Sequence, residues 1–198
     1  NAILQPWYPG ARGGKEIAEM LFGEISPSGK LPITLYRNTN DLPSFEDYSM
    51  KGRTYRYIET QPLYPFGYGL TYSKVAVKDA SVSGATTYEE AKNGVTVKAD
   101  VKNEGSFATD EVVQVYVRVE GSENEVLNTK LAAFARVHLA AGEEKEVELK
   151  ISADSFATVN GQGNKVWDGT GAAIYVGLGQ PDDRTKELTG QASVKIAI

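Results

Sequence analysis

Strict alternation of apolar and polar residues in the second half of the chain is the feature that most constrains its fold. Residues 95–101 have Val or Ala at every second position and Thr, Lys or Asp between them. Residues 113–119 repeat Val at the odd positions, and residues 147–151 repeat Val, Leu and Ile. Successive side chains of a β-strand point to opposite faces, so this period of two predicts strands with one buried and one wet face.

Further apolar segments between turn signals complete the pattern of an antiparallel sandwich. Additional strands are predicted at 75–82, 131–139, 172–178 and 192–198. Turns are predicted at Asn103-Glu104-Gly105, Ala141-Gly142-Glu143 and Asn160-Gly161. About seven short strands over roughly 125 residues are typical of a Greek-key sandwich. We therefore predict that residues 73–198 form a β-sandwich of the fibronectin type III or immunoglobulin kind, so that the chain is mainly β.

The first 36 residues have a different pattern, that of one strand–helix–strand unit. Ala2 to Gln5 are apolar enough for a buried strand, and a second strand is predicted from Leu31 to Tyr36. Between them, Gly13-Gly14 opens a predicted helix with apolar residues on one face, and Gly23 suits its C-terminal cap. A single unit of this kind cannot close a core of its own. Residues 1–36 are therefore predicted to be the C-terminal remnant of an α/β domain.

Residues 37–72 are predicted to be an extended connector that is rich in tyrosine. Its aromatic residues include Tyr48, Tyr55, Tyr57, Tyr64, Phe66, Tyr68 and Tyr72. Disordered segments contain few aromatics, so we expect this segment to be ordered. The favoured interpretation is that the rings pack the connector across two domains. The alternative is that some of them form a wall on which a sugar stacks.

The most suggestive carboxylates are Glu46 and Asp47 beside Tyr48. Hydrolysis of a glycoside needs two carboxyl groups about 5–9 Å apart across the scissile bond. Adjacent residues of an extended segment point opposite ways, so this pair cannot be that dyad. The favoured interpretation is that both are surface acids, and the alternative is that one of them works with a carboxylate elsewhere.

The arginines around Tyr55 and the single histidine are two further candidates for a chemical role. Arg53 and Arg56 flank Tyr55, an arrangement that is typical of arginine stacked on tyrosine at a domain contact, although arginine also holds sugar hydroxyls. The single histidine, His138, is predicted to face solvent from a strand. No Gly-x-Ser-x-Gly elbow precedes a helix, so no hydrolase triad of that type is expected.

Composition excludes several functional classes. The net charge is −5, with 21 basic residues scattered among 26 acidic ones, whereas a nucleic-acid surface needs clustered Lys and Arg. No apolar run approaches the ~20 residues that cross a bilayer, so no membrane contact is expected. We recognise no secretory signal peptide at the start of the sequence, and the sequence does not predict the cellular compartment. The chain has no cysteine, and neither a metal site nor a cofactor is expected.

Three stretches together resemble glycoside hydrolase family 3. WYPGARGGKEIAEMLFGEISPSGKLPITLY, residues 7–36, is similar to the end of that family's α/β-sandwich domain. FEDYSMKGRTYRY and PLYPFGYGLTYS resemble the connector of its β-glucosidases and β-xylosidases, and Pro65 to Leu70 is the most specific part. FARVHLAAGEEKEVELKIS, residues 134–152, resembles its fibronectin type III-like domain. One departure is Arg12, because the family usually has Glu before the paired glycines.

The resemblance implies a retaining glycosidase with two catalytic carboxyl groups. The family's nucleophile is an Asp of a (β/α)8 barrel, and its acid/base is typically a Glu earlier in the α/β-sandwich domain. Neither region matches any part of this sequence, so no catalytic residue is assigned. The resemblance therefore implies the C-terminal accessory part of a β-glucosidase or β-xylosidase, inactive by itself. The barrel is expected either before or after this segment.

The expected partners are the remaining glycosidase domains and, through them, β-linked oligosaccharides; a homodimer is also expected. The residues predicted to bind substrate at the edge of the active site are Trp7, Asp47, Tyr48, Arg53 and Tyr55.

The alternative functions are a carbohydrate-binding or adhesion module and a purely structural one. The binding alternative is disfavoured because most aromatic rings of the sandwich are expected in its core. Those rings are Tyr88, Phe107, Tyr116, Phe134, Phe156, Trp167 and Tyr175.

Overall fold

The computed structural model describes residues 2–198, and its architecture is mainly β. In chain order the strands are β1 (Val75–Ser83), β2 (Val95–Asn103), β3 (Thr109–Glu120), β4 (Lys130–Leu139), β5 (Glu144–Ile151), β6 (Thr158–Val159), β7 (Lys165–Val166), β8 (Gly171–Gly177) and β9 (Val194–Ala197). The helices are α1 (Gly13–Leu21), α2 (Thr54–Tyr57), α3 (Tyr88–Ala91) and α4 (Asp183–Thr189). Short 3-10 turns lie at Thr39–Asp41 and Ala153–Phe156.

Seven of the strands form two antiparallel sheets that face each other. One sheet has the order β1-β2-β5, the other has the order β4-β3-β8-β9, and β6 pairs with β7 in a separate hairpin. Apolar side chains from both sheets make one core, in which Val97 of β2, Val115 of β3 and Ile174 of β8 are fully buried. The predicted fibronectin type III-like sandwich is thereby confirmed. The boundaries 1–36, 37–72 and 73–198 stay predictions.

The predicted alternation of buried and exposed residues holds in β2 but not in β3. In β2, buried and half-exposed residues alternate without interruption, as predicted. In β3, Gln114 and Tyr116 lie in the polar phase but are fully buried. The expectation that this face of β3 is wet was wrong, because the connector covers it. Gln114 Nε2 donates to Gly67 O at 3.0 Å, and the Tyr116 hydroxyl donates to Gln114 Oε1 at 2.7 Å.

The predicted helix near the start of the chain is confirmed as α1. Gly23, just beyond it, has a φ of +78°, and its N–H donates to Met20 O at 3.0 Å. The two strands predicted beside this helix were wrong. Residues 2–5 are exposed and irregular, and residues 31–36 contribute one bridge, between Leu35 and Tyr64. A strand needs a hydrogen-bonded neighbour, and within residues 2–198 no strand lies beside residues 2–5.

The aromatic rings of the sandwich are less buried than expected. Tyr88, Tyr116 and Phe156 lie in the interior, and Tyr88 donates its hydroxyl to Phe156 O at 2.8 Å. Phe107 and Phe134 are exposed, because Phe107 lies in a loop and Phe134 lies on the outer face of edge strand β4. The expectation that most of the seven rings lie in the core was wrong, because only three are buried. The exposed and half-exposed rings are Phe107, Phe134, Trp167 and Tyr175.

No helix in the part of the chain that the structure describes combines the length and the apolar character that a bilayer crossing requires. Within the same residues, no three His, Asp or Glu side chains are grouped closely enough to hold a metal ion.

Candidate functional site

Three of the five predicted substrate-binding residues lie in one loop, residues 44–53, which we call the aromatic loop. The Arg53 guanidinium holds this loop together, because its Nε donates to Ser49 O at 3.0 Å and its Nη2 donates to Ser44 O at 3.1 Å and to Asp47 O. Three backbone carbonyls converge on one cation, and a planar guanidinium with five donors suits that geometry. Arg53 therefore fixes the shape of the loop.

The held loop presents polar and aromatic groups to solvent. Asp47 Oδ1 accepts the backbone N–H of Ser49 at 2.8 Å, and the hydrogen bonds from Ser49 keep the pKa of the Asp47 carboxyl below its usual value. The rings of Tyr48 and Phe45 are 91% and 94% exposed. An ionised carboxylate between two exposed rings can accept hydrogen bonds from hydroxyl groups while the rings offer apolar faces.

Tyr55 points away from the aromatic loop. Its ring stacks on Phe66 with centroids 4.2 Å apart and meets Tyr116 edge-on at 6.4 Å. Its hydroxyl accepts the N–H of Leu131 of β4 at 3.2 Å. One ring face and the hydroxyl of Tyr55 are thus used inside the chain, where they pack the connector against the sandwich.

Trp7, the remaining predicted binding residue, is half-exposed in a separate segment. Its φ of +52° is in the left-handed region that bulky side chains rarely adopt. Its backbone N–H donates to Gln5 Oε1 at 3.1 Å. Among residues 2–198, none of the hydrogen bonds, ion pairs or ring contacts joins Trp7 to the aromatic loop. Arg12, the residue that departs from the resembled pattern, precedes α1 without a side-chain cap bond.

A buried ion pair joins the first part of the chain to the sandwich. Lys30 Nζ lies 2.7 Å from Glu111 Oε1, and the two side chains are only 10% and 5% exposed. Lys30 also donates to Gly69 O at 2.9 Å, and Glu111 accepts the N–H of Val112 at 2.7 Å. These partners replace the lost hydration of both charges. We call this ion pair with the Gly69 contact the junction pair.

A half-open cavity of about 330 Å³ lies beside the junction pair, where the connector, α4 and the sandwich meet. The charged groups in its lining are those of Lys30, Glu111 and Lys74, and the first two neutralise each other. Lys74 extends into solvent and pairs with Glu104 at 2.9 Å. The cavity therefore offers little free charge for recognition of a ligand.

His138 faces solvent, as predicted. Its Nδ1 lies 2.7 Å from Asp110 Oδ1, and Arg136 Nη2 lies 2.6 Å from Asp110 Oδ2. The His138 hydrogen bond is the main cause that keeps the pKa of Asp110 below its usual value. The three side chains form a hydrogen-bonded network on the outer face of β3 and β4, and within residues 2–198 no serine bonds to any of them.

Comparisons with known proteins fit this arrangement. The profile of the glycosyl hydrolase family 3 C-terminal domain matches residues 1–72, and that of the fibronectin type III-like domain matches residues 111–180. A xylan 1,4-beta-xylosidase of Xylanibacter ruminicola is 38% identical over 192 residues, covering 96% of this chain and 21% of that protein. The chain belongs to glycoside hydrolase family 3. A periplasmic beta-glucosidase of Salmonella typhimurium is 32% identical over 94% of this family 3 chain and 26% of its own length.

A solved structure has the same fold as this family 3 chain. Beta-glucosidase 3B of Thermotoga neapolitana, in complex with glucose, superposes with a TM-score of 0.80 and 29% identity. The match covers 97% of this chain and 27% of that structure. The chain thus spans about a quarter of the length of the relatives and structures that it matches.

Sequence reasoning missed the junction pair of this family 3 chain. A signal was present, because Glu111 stands in the apolar phase of the run that continues with Val113 and Val115. A carboxylate in the inward phase of a strand needs a partner. Lys30 lies 81 positions earlier in the chain, so that partner could not be identified from spacing.

Proposed function

We propose that this chain is the C-terminal accessory part of a family 3 β-glycosidase, in which it braces the catalytic domains and carries no catalytic residue. The observation that carries the proposal is the share of its relatives' length that the chain matches. The chain matches about a quarter of the length of proteins named as β-xylosidase and β-glucosidase, and this chain itself carries the family 3 C-terminal domain and fibronectin type III-like profiles. The proposed substrates of the whole enzyme are terminal β-D-glucosides or β-D-xylosides, hydrolysed with retention.

The distribution of exposed apolar side chains supports the bracing role. Among the described residues, fifteen of the twenty exposed large hydrophobic side chains lie before Val75. They include Tyr8, Leu21 and Phe22, which lie in or near α1. Large exposed apolar areas mark surfaces that bind another protein surface. We infer that residues 2–72 dock on the remaining glycosidase domains, while the five others are dispersed over the sandwich.

The chain by itself is expected to have no glycosidase activity. The measurement is release of nitrophenol from aryl β-glucoside and aryl β-xyloside by the 198-residue chain, compared with buffer. Turnover that Asp47→Asn or another single carboxylate substitution abolishes would contradict the accessory role. Turnover that stays the same in Asp47→Asn would come from a contaminating enzyme and not from this chain.

We further propose that the aromatic loop forms an edge of the substrate site in the whole enzyme. Tyr48 and Asp47 are its contact residues, Arg53 holds them in place, and Tyr55 acts through packing. Trp7 is a separate contact residue that faces the same partner domains. The support is the exposure of Tyr48 together with the fixed, ionised Asp47. The homodimer expected from the sequence stays a prediction.

Replacing Tyr48 with Ala in the full-length enzyme is expected to raise KM for a β-linked oligosaccharide about fivefold. The reason is that a ring contact contributes about 1 kcal/mol. KM for a short aryl glycoside should change little, because it does not reach the edge of the site. Phe134→Ala removes an exposed ring from the sandwich, far from the aromatic loop in sequence, and is the control. Equal changes in both KM values, or an effect of Phe134→Ala, would count against this role of the loop.

A further inference from the structure

The tip of the β6–β7 hairpin holds one asparagine side chain through two backbone N–H groups. Asn160 Oδ1 accepts two backbone N–H groups, that of Gln162 at 3.0 Å and that of Asn164 at 3.0 Å. The Asn160 main chain is fixed as well, because its N–H donates to Asn164 O at 3.0 Å and its carbonyl accepts from Gly163 at 2.9 Å. The amide carbonyl of Asn160 is therefore polarised by two donors that point at its oxygen.

The residue after Asn160 is free to react. Gly161 is exposed, its backbone N–H donates no hydrogen bond in the described structure, and a Cβ placed there would meet no atom within 4 Å. Asparagine is one of the chemically labile residue types, and a following glycine offers the least hindered backbone nitrogen. We propose that Asn160 is a site of spontaneous deamidation, through a succinimide that it forms with the nitrogen of Gly161.

The two donors stabilise the charge that develops in this reaction. The Gly161 nitrogen loses its proton and attacks Cγ of Asn160, which makes Oδ1 an oxyanion facing the N–H groups of Gln162 and Asn164. The attack itself closes the five-membered ring. Collapse of the intermediate then expels the side-chain nitrogen, which takes up a proton from water and leaves as ammonia, so that the succinimide remains. Water then opens the ring at either carbonyl and gives aspartate or isoaspartate. Donors aimed at a developing oxyanion are a main source of rate enhancement in acyl transfer.

A second Asn-Gly pair in the chain has the opposite arrangement. At Asn93-Gly94 the Gly94 N–H donates to Ala91 O at 2.9 Å, so the nucleophile is occupied. The Asn93 side chain donates through Nδ2 to Glu90 O at 3.2 Å, and no donor to its Oδ1 is present among the described hydrogen bonds. At Asn160-Gly161 the side-chain carbonyl is polarised and the glycine nitrogen is free. At Asn93-Gly94 neither condition holds.

The two products would change the hairpin differently. An aspartate at position 160 can accept the same two N–H groups, so the loop keeps its shape and gains one negative charge. An isoaspartate adds a methylene to the main chain and disrupts the Asn160–Asn164 pairing next to the two-residue strands β6 and β7. Modification therefore loosens this end of the sandwich only when isoaspartate forms.

The test is to incubate the folded chain at mildly alkaline pH and follow both sites by peptide mapping and mass spectrometry. Asn160 is expected to convert about tenfold faster than Asn93, and faster in the folded chain than in the chain unfolded by denaturant, because only the folded loop supplies the two donors. Gln162→Pro removes one donor and should slow Asn160 in the folded chain alone. Gly161→Ala should slow it in both states.

Slower conversion of Asn160 in the folded than in the unfolded chain would overturn the proposal, because the loop would then protect the amide. Equal rates at Asn160 and Asn93 in the folded chain would overturn it too. If Gln162→Pro does not fold, the ratio of folded to unfolded rates in the unsubstituted chain still decides between activation and protection.

Discussion

Replacing Lys30 with Met is expected to destabilise the folded chain by about 3–5 kcal/mol, because the buried Glu111 carboxylate is then left without a cation to balance its charge. The two groups lie 2.7 Å apart, and Lys30 also reaches Gly69 O in the connector. The loss should appear as a lower midpoint of urea unfolding. Glu111→Gln should have a similar effect, because it leaves the ammonium group of Lys30 buried instead.

An exposed ion pair of the same length is the control for this prediction. Lys98 and Glu146 also lie 2.7 Å apart, across β2 and β5, but are 42% and 54% exposed. Lys98→Met is therefore expected to change the free energy of unfolding by about 1 kcal/mol or less. The double substitution Lys30→Met with Glu111→Leu should recover most of the loss, because no uncompensated charge remains. A Lys30→Met effect no larger than that of Lys98→Met would contradict a stabilising role of the junction pair.

The parts of the fold that were predicted correctly depend on short-range patterns. The period of two in residues 95–101 is enough to orient β2, and the apolar spacing before Gly23 is enough to locate α1. The predictions that were wrong depend on contacts with distant parts of the chain, which a local sequence pattern cannot identify. Ala2 to Gln5 has a strand-like composition, but no described strand lies beside it. Tyr116 has the spacing of an outward residue, but the connector returns to cover it.

The same distinction holds for the candidate site. Asp47, Tyr48 and Arg53 are close in sequence, and the structure gathers them into the aromatic loop through the Arg53 guanidinium. Tyr55 is only two residues further, but it turns to Phe66 because a one-turn helix, α2, begins at Thr54. Proximity in sequence therefore predicted which residues share a loop, and it could not predict which side chains point outward.

Gly67→Ala is expected to destabilise the chain by about 3–5 kcal/mol, from a strained backbone and two disturbed buried hydrogen bonds. Gly67 has a φ of +76°, and an added Cβ would collide with Gln114 Oε1 and the Tyr116 hydroxyl. Neither atom can swing away, because both side chains are fully buried and bonded to each other at 2.7 Å.

Gly142→Ala separates the collision at Gly67 from the backbone strain. Gly142 has nearly the same φ, +74°, but a Cβ there would meet no atom within 4 Å. Its substitution should therefore lower the free energy of unfolding by only about 1–2 kcal/mol, the strain of a left-handed residue. Near-ultraviolet circular dichroism of the tyrosines should change for Gly67→Ala alone, because only that variant disturbs the packing of Tyr55, Phe66 and Tyr116. Equal losses of stability in the two variants would mean that the added Cβ at position 67 costs no more than the backbone strain. The packing of the connector against β3 would then not be tight enough to stabilise the chain.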